Sequence, residues 1–115
     1  MNTEIVARHP EVDDMLRRYV LRRVRSAINR LSGKIRNITV KLDRRAMAPP
    51  EQRNCVIEIS IEGQASPVIV DSQGPHWLSA IDQAVESAAR AVRRSLKHTL
   101  HRVTPLHLLK GQHAS

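Results

Sequence analysis

The spacing of apolar residues changes along the chain, and each change marks the edge of an element. Residues 3–8, Thr3 to Arg8, form a short candidate strand, which His9-Pro10 interrupts. Beyond it Val12, Met15, Leu16, Tyr19, Val20, Val24, Ala27, Ile28 and Leu31 recur at three- and four-residue steps, which predicts a helix with one buried face. Asp13 supplies its N-cap, Asp14 adds a second negative charge to its first turn, and Gly33 supplies a stop. The opposite side of this helix carries Arg18, Arg22, Arg25 and Asn29.

From Ile35 the period becomes two: Ile38, Val40 and Leu42 alternate with Thr39, Lys41 and Asp43, as a half-buried strand requires. Residues 44–54 are polar and broken by Pro49-Pro50, which predicts a loop. Cys55, Ile57, Ile59 and Ile61 then alternate with Val56, Glu58, Ser60 and Glu62, a strand ended by Gly63 and expected to pair antiparallel with the one before. Residues 66–71 make another short strand, and Pro67 near its start favours a sheet edge or a strand end. Gly74-Pro75 reads as an N-cap and first helical residue, opening a helix in which Leu78, Ile81, Val85, Ala88, Val92 and Leu96 face the core. The period is lost from Thr104, so residues 1–103 are expected to fold as one domain and 104–115 to form a flexible tail. The class expected is α+β: a two-layer β-α-β-β-β-α domain with both helices on one face of the sheet.

Charge adds a partner to this frame. A chain of 115 residues holds one core, and its 19 Lys and Arg against 11 Asp and Glu leave a net charge of +8. The excess is mostly arginine, whose planar guanidinium matches phosphate, so a polyanion is the expected partner. In the last helix Arg90, Arg94, Lys97 and His101 fall on one stripe with Arg93 beside it. The chemistry of enzymes is missing from the pattern: there is no phosphate-cradling glycine loop, no nucleophile elbow and no supported His–carboxylate pair, so no enzyme and no small-molecule substrate is expected. His98 and His101 lack neighbouring residues to complete a metal set, and no cofactor is expected. Cys55, the single cysteine, lies in an apolar run and reads as core. Tyr19 and Trp77 are the only tyrosine and tryptophan, with no Phe; Tyr19 is read as core and Trp77 as an anchoring core residue, the alternative for Trp77 being a semi-exposed contact, which leaves little for base stacking. No apolar run approaches the ~18 residues of a membrane span, and the N-terminus has Glu4 and no signal core, so a cytoplasmic protein is expected.

Two segments carry a family resemblance. Glu11-Val-Asp-Asp-Met-Leu-Arg-Arg-Tyr-Val20 and Trp77-Leu-Ser-Ala-Ile-Asp82 resemble the openings of the two helices in the ribosome hibernation promoting factors, also known as the ribosome-associated inhibitor or sigma-54 modulation family. The resemblance spans about residues 4–102 and is to a short form, without the dimerisation domain of the long members. It implies a domain similar in shape to double-stranded-RNA-binding domains. Such a domain would bind ribosomal RNA of the small subunit, block the messenger and transfer RNA sites in stress or stationary phase, and be a monomer off the ribosome. On this frame Arg18, Arg22, Arg23 and Arg25 of the first helix, Lys41 and Arg44 near the end of the second strand, and Arg90, Arg93, Arg94, Lys97 and His101 of the second helix are the expected RNA ligands. Three features depart from the family pattern: a longer 44–54 loop, His76-Trp77 in place of an acidic residue and methionine, and Ser87, Ser95 and Leu96 at positions that are usually basic. The competing reading is a general structured-RNA binder or a protein-partner regulator on the same fold.

Overall fold

A computed structural model of the chain describes residues 2–7, 9–28, 31, 33–45 and 52–109, the side chains of Arg45 and of 98–109 excepted. The order is β1 (Asn2–Ala7), α1 (Asp14–Ala27), β2 (Ile35–Arg45), β3 (Gln52–Ile61), β4 (Val68–Gly74) and α2 (Trp77–Leu109). The strands form one sheet in the order β1-β2-β3-β4, in which β1 pairs parallel with β2 and the other two pairs are antiparallel. A parallel pair needs a crossover, and α1 is that crossover. Pro67 sits just before β4, outside the hydrogen-bonded ladder, and β4 is an edge strand.

One face of the sheet carries Ile38, Val40 and Leu42 of β2 and Cys55, Ile57, Ile59 and Ile61 of β3, all buried. Against it pack Val20, Val24 and Ile28 from the first helical segment and Ala80, Ile81, Ala84, Val85, Ala88 and Val92 from α2, in a single cluster. The small alanines let α2 lie close to the strands, while the isoleucines fill the volume between layers. A fully buried Ile contributes about 1.5–3 kcal/mol relative to an exposed one. At the start of β2 the pairing slips between Ile35 and Asn37, which lets Ile35 and Ile38 both face inward although three residues apart.

The structure moves several boundaries. Asp13 is the N-cap, its Oδ1 accepting from the Leu16 N–H at 2.9 Å, but α1 ends at Ala27 with Ile28 as C-cap. Ile28 and Leu31 keep the apolar spacing because they pack on the core from the turn, so periodicity outlasts the helix and Gly33 is not its stop. The 44–54 loop is shorter than its composition suggests, because β2 runs to Arg45 and β3 starts at Gln52. Gly74 closes β4 and is not an N-cap. A Cβ there would stand 2.6 Å from Ser79 Oγ, so glycine lets the strand end meet the helix. The carbonyl of His76 accepts the first helical bonds, from the Ala80 N–H at 3.1 Å and the Ser79 hydroxyl at 2.9 Å. Helical backbone continues past Thr104 to Leu109, where the sequence pattern predicts a tail; residues 110–115 lie outside the described residues. No helix, among the described residues, is long and apolar enough to cross a membrane.

Two apolar residues expected in the core are outside it. Met15 is 76% exposed and Leu78 51%, both on the first turns of their helices. The core there is served instead by Leu16 and Trp77, which pack against it from neighbouring positions.

Burial fixes the chemistry of Cys55, as its spacing predicts. Desolvation, with a smaller contribution from the charge of Asp71, pushes its thiol up to about 12. The thiolate is the reactive form, so the native protein is expected to react with a thiol-specific reagent such as DTNB near pH 8 only as fast as it unfolds. Rapid stoichiometric labelling without denaturant contradicts this.

Candidate nucleic-acid interface

A helix that buries one stripe must present the other. On α1, Arg18, Arg22 and Arg25 follow one another at four- and three-residue steps and are exposed. On α2, Arg90, Arg93, Arg94 and Lys97 are exposed on the side away from Ala88, Ala89 and Val92. None of these seven makes an ion pair among the described residues; Arg90 donates only to Ser87 Oγ at 3.3 Å. All seven residues are exposed, Arg22 with its guanidinium against the Tyr19 ring. The side chain of His101 lies outside the described residues.

The other candidates are placed elsewhere. Arg23 is a tie between helices: its Nε donates to Asp82 Oδ1 at 3.0 Å, and the Tyr19 hydroxyl donates to the same oxygen at 2.5 Å. That bond, with burial and the carboxylate's charge behind it, raises the Tyr19 pKa above its ordinary value. Tyr19 packs on the core as expected, with its hydroxyl engaged. Lys41 projects from the opposite face of the sheet, where it pairs with Glu58 at 2.7 Å. Both follow from strand alternation, since Lys41 lies between the inward Val40 and Leu42. Arg44 shares the inward parity but lies beyond the helices' first turns, where its Nη1 is 3.0 Å from His9 Nε2 and 3.4 Å from Glu11 Oε2.

Glu11 is the centre of this end of the molecule. Its Oε1 accepts from Trp77 Nε1 at 2.9 Å and from Arg53 Nη2 at 3.0 Å, so one carboxylate joins the loop before α1, the start of β3 and the start of α2. Spacing alone gave Arg53 to a loop; its in-phase position with Cys55 and Ile57 was the available sign that it points to the helix side. The Trp77 N–H bond, followed by Arg53 and Arg44 and opposed by partial desolvation, lowers the Glu11 pKa. A depressed carboxylate contributes stability that is present above its unfolded value, near 4.3, and lost as pH falls through the folded value. Glu11→Gln is therefore expected to lower Tm at pH 7 and to reduce the loss of Tm on acidification below about pH 4. Parallel Tm curves for both proteins across that range would contradict the assignment.

Between the first turns of α1 and α2 opens a groove of about 560 Å³, lined by Glu11, Asp13, Met15, Leu16, Tyr19, Arg22, Arg53 and residues 75–78. Arg22 lies over the Tyr19 ring at 5.8 Å and Arg53 over the Trp77 ring at 5.9 Å. No group of His, Cys, Asp and Glu able to hold a metal ion occurs among the described residues.

Residues 3–99, nearly the whole described domain and all seven exposed cations, match the family described as Sigma 54 modulation protein / S30EA ribosomal protein. The chain belongs to this family. Two solved structures share the fold of this S30EA-family domain. The N-terminal domain of Thermus thermophilus Protein Y superposes with a TM-score of 0.65 at 24% identity, covering 82% of this chain and 98% of that one. A ribosomal subunit interface protein from Coxiella burnetii superposes with a TM-score of 0.67 at 11% identity, covering 88% and 99%. No curated protein sequence matches the chain. The family and the α+β architecture expected from the sequence are both found; the likeness to double-stranded-RNA-binding domains stays an expectation of shape.

Proposed function

We propose that this S30EA-family domain is a cytoplasmic ribosome hibernation factor that acts by occupancy, holding the small subunit's RNA where messenger and transfer RNA would otherwise lie. The observation that carries the reading is the set of seven exposed cations on two helices whose other faces are buried in one core. Both helices begin at the same end of the sheet and run side by side, tied through Asp82 to Tyr19 and Arg23. The α1 cations lie 4 to 11 residues into their helix and those of α2 13 to 20 residues into theirs, so the basic surface runs on from about 6–17 Å to about 20–30 Å from the helix starts. Phosphates are alike at every nucleotide, so such a surface reads the shape of folded RNA and not its sequence. Nothing in this mechanism asks for catalysis or a cofactor, and a monomer suffices for it.

Sedimentation with purified small subunits tests it. The protein is expected to co-migrate near physiological salt, with log affinity falling by roughly 0.7 to 0.9 per tenfold rise in salt for each phosphate neutralised. Binding only to free duplex RNA or to a protein, or an affinity insensitive to salt, overturns the reading.

A further inference from the structure

The apolar walls of the groove at the helix starts have no part in that electrostatic account, yet the groove opens directly onto one of the arginine rows. Met15, Arg18, Arg22 and Arg25 lie at three-, four- and three-residue steps, so the exposed Met15 continues the α1 ridge toward the groove. Arg22 belongs to both: it is exposed on the ridge and lines the groove over the Tyr19 ring. Across the opening stands Leu78, half exposed on the first turn of α2, beside Trp77.

We propose that this groove is a pocket for one unpaired nucleobase of the RNA whose phosphates follow Arg18, Arg22 and Arg25. The proposal rests on the RNA-binding reading above and adds a contact to it. Three features fit a base. The walls are flat or flexible apolar surface: Met15 and Leu78 offer a thioether and an isobutyl group to a π-face, with Tyr19 and Trp77 behind them. The volume of about 560 Å³ falls in the range of small-molecule sites, roughly 300–1,000 Å³. The polar groups suit a nucleotide's two halves, since Arg22 fits the phosphate, while Asp13 Oδ2, the oxygen that does not cap Leu16, can accept from base amino or imino groups.

The acidic residues do not repel such an occupant as they would a bare phosphate. Glu11 is engaged by Trp77 and Arg53, and the side chain of Asp13 caps α1 at Leu16. Charge also separates an RNA from an apolar protein segment here. A purely apolar partner would leave the Arg22 guanidinium desolvated without an anion, whereas a nucleotide brings its own phosphate to it.

The test uses the neutral double variant Met15→Ser/Leu78→Ser, at two exposed positions whose change leaves the core intact. Binding to purified small subunits is measured across a range of salt, and the fluorescence of Trp77, the one tryptophan in the chain, is followed on subunit addition. The expected result is quenching or a spectral shift in the wild type, with affinity of the variant lower by roughly tenfold at every salt concentration, as for loss of the apolar contact that two side chains make with one base. The salt slope stays unchanged, because no phosphate contact is removed. A variant that binds as tightly as wild type, or an unperturbed Trp77 signal in the wild-type complex, overturns the pocket and leaves the RNA reading standing. Failure of the wild type to bind subunits at all overturns both. If the wild type alone self-associates and the variant does not, the groove holds a second copy of the chain and the base assignment is wrong.

Discussion

Changing Arg90, Arg93 and Arg94 together to Glu is expected to lower affinity for the small subunit by about two to three orders of magnitude near 0.1 M salt. Each neutralised phosphate contributes roughly 0.7 to 0.9 log units at that concentration relative to 1 M, and reversing the sign adds repulsion where there was attraction. The salt slope should fall by about 2 to 3 units over the same comparison. Translation inhibition in a purified system should fall in parallel. The three residues are exposed and carry no part of the core, so the variant's Tm should be nearly unchanged. Lys41→Glu provides the geometric control: Lys41 stands on the far face of the sheet beside Glu58, and its reversal should alter affinity by well under tenfold. Inhibition unaltered by the triple change, or a Lys41 effect as large as the triple, would remove α2 from the interface.

The largest effect on stability is expected from the middle of β3. Ile57 is fully buried, paired with Val40 of β2 on one side and Val70 of β4 on the other, beneath the helices. Ile57→Ala should cost about 2–5 kcal/mol, the range for removing most of a large aliphatic side chain from a site that collapses incompletely. Set against a total of about 5–15 kcal/mol for a domain, that is a large share, and Tm should fall by about 10 °C or more. Ser60→Ala, on the outward face of the same strand, should stay within about 0.5 kcal/mol. Equal losses at the two positions in urea or thermal unfolding would contradict the assignment of the faces.

Much of the fold was readable because one face of each strand and one stripe of each helix had to be apolar. The alternation Cys55, Ile57, Ile59, Ile61 left no choice of inward face, and Asp13 declared its helix start by its chemistry. Boundaries failed where burial and helix parted company. Ile28 and Leu31 are apolar because they pack on the core, and their spacing carried the predicted helix past its end at Ala27. Met15 and Leu78 failed in the opposite sense, being apolar and exposed at the one place where both helices begin.

The arginines show the same division. Arg18, Arg22, Arg25, Arg90, Arg93, Arg94 and Lys97 could be placed on outward stripes by counting threes and fours. Arg23 could not be separated from its neighbours in that way, because its partner Asp82 lies 59 residues along the chain. The alternation with Val40 and Leu42 already set Lys41 on the outward parity, whereas Arg44 needed the position of the strand's end, which lies in a segment whose composition reads as a loop. Glu11 opens a segment that resembles the family, but nothing in its spacing marks it as a tie. Its ties to Trp77, 66 residues away, and to Arg53, 42 away, exist only after the chain has folded.

The bond pair at Asp82 has a consequence for the rate and strength of association. One carboxylate oxygen takes both the Tyr19 hydroxyl and the Arg23 Nε–H, so α1 cannot slide or roll against α2 without giving up two hydrogen bonds in a half-buried seam. The distance between the two rows of positive charge is thereby set during folding, before any RNA arrives. Side chains on a rigid pair of rails lose only their own rotamer freedom on contact, and no helix needs to be reoriented. Loosening the seam with Asp82→Ala would turn a fixed gauge into an adjustable one, and complexes would then part faster even though every phosphate-facing arginine was still in place.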